Sequence, residues 1–227
     1  MSDEMPKRIT ITNGGPYRVE EGTPISDDEG QPIATNGDYF LCRCGISKSK
    51  PFCDGTHKSN NFNGQEFASK DSADERRDAY IGDGVTIFDD RNRCAHAGNC
   101  TTNLAAVFKR DVEPWIEPTG ASAEEIASVI RTCPSGALSY TTAPDGDPEE
   151  ESLGPMVVVP PDAPYATRGV QMVAGDGSLY DLRERQALCR CGGSRNKPFC
   201  DGAHWYIGFK HQMGGDNSID KSEPKDD

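Results

Sequence analysis

The sequence predicts a small, loop-rich α+β chain built from three short units rather than one large domain. Three observations carry that reading. A sixteen-residue stretch, Cys42 to His57, recurs as Cys189 to His204 with twelve positions identical. Only 34% of the residues are hydrophobic, and glycine and proline number 24 and 16; ordinary domains hold about 45–50% apolar residues on a count that includes glycine. Nine cysteines fall into three groups of three: Cys42, Cys44 and Cys53; Cys94, Cys100 and Cys133; Cys189, Cys191 and Cys200. A chain of 227 residues has the length for two or three small units. Units this poor in apolar surface are regularly braced by bound metal.

The first unit spans residues 1–68. Residues 1–8 read as a frayed terminus, and Ile9 to Thr12 alternates as a strand. Asn13-Gly-Gly-Pro16 signals a turn, Tyr17 to Glu20 alternates again, and residues 27–37 are turn-rich. Tyr39-Phe-Leu41 then leads into Cys42. Residues 69–78 are charged and read as a linker or an exposed helical turn. The second unit, residues 79–143, opens with strands at Tyr80-Ile81 and Val85 to Phe88. A ligand loop from Cys94 to Cys100 follows, with a short helix expected over Leu104 to Phe108 and an edge strand or turn over Pro114 to Pro118. Ser122 and Glu125 form a capping box for a helix in which Ile126, Val129 and Ile130 share one face. Cys133-Pro-Ser-Gly136 ends that helix and a strand runs through Tyr140. An acidic linker, 143–153, leads to the third unit, 154–212. It repeats the order of the first: a strand at Met156 to Val159, a turn-rich gap, a strand over Gly169 to Val173, a turn, then Ala187-Leu188 before Cys189. The tail, residues 213–227, reads as disordered, and His211 at its edge as a solvated side chain.

The net charge of −13 argues against nucleic acid and anionic membrane surfaces as partners. No stretch approaches the ~20 apolar residues of a membrane span, and the N-terminus has no leader-like pattern. The expectation is a soluble, cytoplasmic protein. An odd number of thiols in three equal groups suits a reducing compartment better than a disulfide framework. Ser135 lacks the surroundings of a nucleophile elbow, and Gly175, Gly177, Gly192 and Gly193 lie in turns without phosphate-loop spacing. Asp54 and Asp201 read as caps on the turns that carry His57 and His204, not as acids. No catalytic role is assigned.

Three thiols and one imidazole in one short loop make each copy a metal site, with zinc and iron both open on spacing alone. Both copies read Cys-x-Cys, Ser, then Pro-x-Cys-Asp-Gly-x-His. On these residues the chain resembles the CDGSH iron–sulfur family, the mitoNEET-like proteins. The resemblance implies two [2Fe-2S] clusters. Cys42 and Cys44 would hold one iron and Cys53 and His57 the other; Cys189 and Cys191 would hold one iron of the second cluster, Cys200 and His204 its partner. The family works as a two-fold dimer, so the two copies would pack within the chain as a β-rich pseudo-dimer. The apolar anchor of membrane-tethered members has no counterpart at residues 1–6. A phenylalanine follows each histidine, Phe62 or Phe67 and Phe209, placed to cover the cluster or to pack in a core. Trp205 follows His204 where Lys58 follows His57, so the two histidines are expected to differ in solvent access.

Residues 79–143 resemble the divergent single-cluster ferredoxins, on Cys94, Cys100 and the run Cys133-Pro-Ser-Gly-Ala-Leu138. Ferredoxins place a further cysteine midway between the first two; here that place is Ala97. Three thiolates suit a [3Fe-4S] cluster, and His96 as a fourth ligand would make it [4Fe-4S]. With no catalytic constellation, what remains is one-electron chemistry, and the first function it suggests is an electron carrier serving a redox partner protein. Cluster storage, sensing or delivery to an apo acceptor through the labile His–iron bond is the alternative. A zinc-braced adaptor without redox chemistry is the third reading.

Overall fold

The computed structural model describes residues 6–144 and 146–211. The tail expected to be disordered and residues 1–5 of the terminus expected to fray lie outside the described residues, but Lys7 and Arg8, read as frayed, are held in a strand by pairing with Val170 and Gln171. Strand β1 (Lys7–Ile11) turns through Gly14 into β2 (Tyr17–Val19), and β4 (Tyr39–Leu41) pairs antiparallel with β2. Ile9, Ile11, Tyr17, Val19 and Leu41 alternate inward and are buried, as the period-two pattern dictates. The third unit repeats this with β8 (Met156–Val159), β9 (Tyr165–Arg168) and β11 (Arg185–Leu188). Each unit also lends a strand to the other. β3 (Ile25–Asp27) pairs parallel with β8, and β10 (Val170–Val173) pairs parallel with β1. The two four-stranded sheets therefore run β10-β1-β2-β4 and β11-β9-β8-β3.

One core serves both units. Ile9, Tyr17, Val19 and Leu41 pack with Val157, Val159, Tyr165 and Leu188, and the Tyr17 and Tyr165 rings meet edge to face at 6.3 Å. β9 falls in the turn-rich gap after Val159, and β3 ends where the turn-rich run 27–37 begins, in residues to which the sequence pattern assigns no element. Each is three or four residues long and flanked by proline, so partners distant in the chain decide it rather than local propensity.

The middle unit is a β5-β6-β7 antiparallel sheet of Asp78–Ile81, Thr86–Asp89 and Leu138–Thr141. It carries α3 (Ala123–Arg131), whose Ile126, Ala127 and Ile130 are buried. The capping box forms as read: Ser122 Oγ accepts from Glu125 N at 3.3 Å and Glu125 Oε2 from Ser122 N at 3.0 Å. The helix expected over Leu104 to Phe108 sits earlier, as α2 (Asn99–Asn103). Val107 and Phe108 are instead fully buried, with Phe108 bridging to Ile116.

The charged stretch 69–78 forms a helical turn, α1 (Ala73–Arg76), one of the two expectations for it, but the Arg76 side chain, 4% exposed, is buried in a network of five charges. Arg76 Nη2 lies 2.8 Å from Asp90 and 3.3 Å from Asp181. Arg93 contacts Asp181 at 3.1 Å, and Arg183 contacts both Asp181, at 2.7 Å, and Asp90. The network fastens the middle unit to the third. Among the described residues no helix is long and apolar enough to cross a membrane.

Candidate metal centres

Each ligand loop is a folded-back extension of a strand. Cys42 N donates to Pro51 O and Cys53 N to Phe40 O, both at 2.8 Å. Cys189 N to Pro198 O and Cys200 N to Ala187 O repeat the pattern at the same 2.8 Å. The Ser47 and Ser194 hydroxyls donate to the carbonyls of Phe52 and Phe199. Asp54 accepts from Lys48 N and Thr56 N, and Asp201 from Arg195 N and Ala203 N, so both aspartates close the turn that presents the histidine. The Thr56 hydroxyl, with these amides, holds Asp54 well below the usual carboxylate range. Gly55 and Gly202 precede the histidines at φ 85° and 84°, a conformation that favours glycine.

The ligands of each loop stand in pairs. Cys42 Sγ lies 3.7 Å from Cys44 Sγ, and Cys53 Sγ 3.3 Å from His57 Nδ1. In the second loop Cys200 Sγ lies 3.4 Å from His204 Nδ1, and Cys189 and Cys191 flank Arg190 as Cys42 and Cys44 flank Arg43. Metal–sulfur bonds of about 2.3 Å and metal–nitrogen bonds of about 2.0–2.1 Å place two ligands of one tetrahedral metal roughly 3.5–3.8 Å apart. Among the described residues, no three histidine, cysteine or acidic side chains gather as the ligand set of a single ion. The neighbouring Cys44 thiol pulls the Cys42 thiol down to about 6, and Cys189 pulls Cys191 to about 7. One thiolate of each Cys-x-Cys pair is thus favoured, whereas burial pushes Cys53 up and Cys200 up to about 12.

The two loops brace each other across the pseudo-two-fold axis. Tyr17 Oη lies 3.0 Å from Cys189 O and 2.9 Å from Pro198 O; Tyr165 Oη lies 3.0 Å from Cys42 O and 2.9 Å from Pro51 O. Burial pushes both phenols well up, so they remain protonated donors. Arg43 and Arg190, each between two ligand cysteines, are buried beneath the loops. Arg43 donates to Gly15 O and Thr12 O, Arg190 to Pro160 O. Phe62 lies against Arg43 at 5.4 Å and Phe209 against Arg190 at 5.5 Å, while Phe67 is 55% exposed. These phenylalanines flank the arginines. The signal that would have found the arginines was present, since Cys-Arg-Cys occurs in both copies.

His211 is buried, contrary to its reading as a solvated side chain. Its ring pairs with Arg190, and its backbone N–H donates to Asp162 at 2.6 Å. Burial, then the charges of Arg190 and Lys50, pull it from 6.5 to about 4. The native chain thus binds fewer protons than the unfolded chain between those values. Its contribution to stability is complete above pH 6.5 and is lost as pH falls toward 4. Denaturant melts should show that loss in the native chain and a flatter pH slope in His211→Gln. Equal slopes would remove His211 from the acid response.

The two histidines differ as expected. His204 is 5% exposed and burial lowers its pKa; Trp205 tilts over it at 4.8 Å while staying 64% exposed. His57 is only half-buried.

In the middle unit Cys94, Cys100 and Cys133 line one recess, walled by Trp115 and Leu138. Desolvation raises Cys94 and Cys100. His96 and Ala97 sit exposed on the rim, with His96 at φ 55° and its N–H 3.4 Å from Cys94 Sγ.

Comparison with known proteins follows this geometry. The family described as "Iron-binding zinc finger CDGSH type" matches residues 14–58 and 154–205, and that described as "Divergent 4Fe-4S mono-cluster" matches residues 80–143. The uncharacterized protein YjdI of Escherichia coli (strain K12) is 36% identical over 61 residues, 27% of this chain and 80% of YjdI. Its counterpart in Escherichia coli O157:H7 is equally similar.

Proposed function

Because this chain is an iron–sulfur protein of the CDGSH family, with a divergent mono-cluster unit between its two CDGSH copies, we propose that it is a one-electron carrier, not an enzyme, serving a redox partner protein. The observation that carries this reading is the pairing of ligands in each loop. In the first loop Cys42 with Cys44, at 3.7 Å, and Cys53 with His57, at 3.3 Å, form two pairs close to the spacing of two ligands on one metal. That suits a two-iron cluster better than a single zinc, and Cys200 with His204 repeats the second pair at 3.4 Å. Cys42, Cys44, Cys53 and His57 hold one [2Fe-2S] cluster; Cys189, Cys191, Cys200 and His204 hold the other. Such clusters supply reversible one-electron chemistry when bound. A neutral imidazole in place of one thiolate removes a negative charge from the ligand set and favours the reduced form. Backbone hydrogen bonds from both strands fix each loop, and a rigid site suits repeated electron passage better than release of the metal.

The three thiolates of the middle recess hold a [3Fe-4S] cluster. A second reading, [4Fe-4S] with His96 as fourth ligand, is favoured by the matched family's description and by His96 on the recess rim. The free state of all nine cysteines supports a reducing, cytoplasmic setting.

Electron paramagnetic resonance of anaerobically purified protein tests the proposal. The expected result is a signal as isolated, lost on dithionite addition and replaced by reduced [2Fe-2S] signals. Silence before reduction, with a reduced [4Fe-4S] signal beside the [2Fe-2S] signals after it, would point to the [4Fe-4S] reading. A colourless sample silent in both states would leave zinc. Rapid transfer of iron and sulfide to an apo-ferredoxin, slowed in His57→Cys, would favour delivery over carriage.

A further inference from the structure

The three ligand sites make unequal contacts with one another. Ala95, next to Cys94, packs in a buried cluster with Ala187 and the ligand Cys200. A side chain at Gly202 would meet His96 Cβ at 3.2 Å and Ala95 O at 3.5 Å, so the middle loop rests directly on the turn that presents His204. Arg93 lies 3.7 Å over the ring of Phe199, the residue before Cys200, and Asn196 Nδ2 donates to Asn92 O at 2.5 Å. The other side of the C-terminal loop faces the N-terminal loop. Gly192 lies where a side chain would strike Cys44 O, and Gly45 where one would strike Cys191 O. Both glycines have positive φ, 83° for Gly45 and 80° for Gly192.

Burial follows the same order. In the C-terminal site Cys189, Cys200 and His204 are buried and Cys191 is half-buried. In the N-terminal site only Cys42 is buried, while Cys44, Cys53 and His57 are half-buried, and His96 and Ala97 open the middle recess to solvent. The two outer sites thus reach the surface more than the site between them, which is the most enclosed of the three. The buried charge network of Arg76, Asp90, Arg93, Asp181 and Arg183 holds the middle unit against that enclosed site.

We propose that the three sites are wired in series, middle site to C-terminal loop to N-terminal loop, with the C-terminal site as the internal junction and the outer two as ports for external partners. The inference rests on the cluster assignment above. Each hop is a single-electron transfer: the reduced site loses one electron, its oxidised neighbour gains it, and no atom moves. An external one-electron donor loads the chain; dithionite takes that place in the test.

Magnetic interaction between sites is the readout. Holoprotein poised at partial reduction should show splitting or enhanced relaxation between the middle and C-terminal signals and between the two CDGSH signals. Cys200→Ser should abolish both interactions, leaving the middle and N-terminal signals isolated. Cys53→Ser should leave the middle–C-terminal interaction intact. Asp181→Asn keeps every ligand and loosens the charge network; it should weaken only the middle–C-terminal interaction. A middle–N-terminal interaction that survives in Cys200→Ser, or no middle–C-terminal interaction in the native protein, would overturn the series. Iron and sulfide content and the separate signals report on the cluster assignment independently, so failure of either idea is recognisable on its own.

Discussion

Asp90→Ala is expected to destabilise the chain by about 3–5 kcal/mol, measured by denaturant melts of holoprotein. The Asp90 side chain is 2% exposed and faces Arg76 and Arg183. Its removal leaves Arg76, Arg93 and Arg183 sharing Asp181 alone. Buried guanidinium groups without a counter-ion lose hydration and gain nothing in return, so the loss far exceeds that of a surface ion pair, ~0–1 kcal/mol. The network is already short of partners, since Asp90 Oδ1, Arg76 Nη1 and two Arg93 nitrogens have none within the protein. Asp90→Ala combined with Arg183→Met should recover part of the loss, because one uncompensated cation goes with the anion. A single-variant loss below about 1 kcal/mol would show that water reaches the network and that the middle unit is held by other contacts.

The second large effect crosses the pseudo-symmetry axis. Tyr17 belongs to the first CDGSH copy, yet its hydroxyl supports Cys189 O and Pro198 O of the second loop. Tyr165 supports Cys42 O and Pro51 O of the first. Tyr17→Phe should therefore loosen the C-terminal site and Tyr165→Phe the N-terminal site. Each takes the hydroxyl from one buried carbonyl, Cys189 O or Cys42 O, at about 1–3 kcal/mol, while Pro198 O and Pro51 O keep a backbone N–H. Chelator-driven bleaching resolves the two sites in backgrounds that keep one cluster, Cys53→Ser for the C-terminal site and Cys200→Ser for the N-terminal. In the first background Tyr17→Phe should accelerate bleaching and Tyr165→Phe should leave it nearly unchanged; in the second the order reverses. If each tyrosine instead affects its own copy, the exchanged bracing does not hold the loops.

The candidate ligands of the two CDGSH copies were legible because each of those sets lies within sixteen consecutive residues, whereas Cys133 lies 33 residues beyond Cys100. Proline, glycine and the turn-closing Asp54 and Asp201 shape those loops through contacts only two to six residues long. The α3 helix was legible for the same reason: Ser122 and Glu125 are three residues apart and satisfy each other's backbone. Strands β1 and β2 announce themselves by alternation, which one buried face enforces, and β8 by the unbroken apolar run Met156 to Val159. What the amino-acid order determined by itself is therefore the local chemistry: two Cys3His loops, a three-cysteine recess, and the turns and helix that present them.

Tertiary structure decided how those pieces meet. β3 and β9 are too short for their own propensity to define them, and partners far away in the chain do so. Arg76 reads as a solvated charge until Asp90 and Asp181 converge on it, and His211 reads as solvent-facing until Arg190 and Asp162 enclose it. The burial of His204 beside a half-exposed His57 depends on the middle unit resting on only one of two nearly identical loops. In each case the interacting groups are separated by many intervening residues. Their attraction becomes effective only after the chain has closed those loops and excluded water between them.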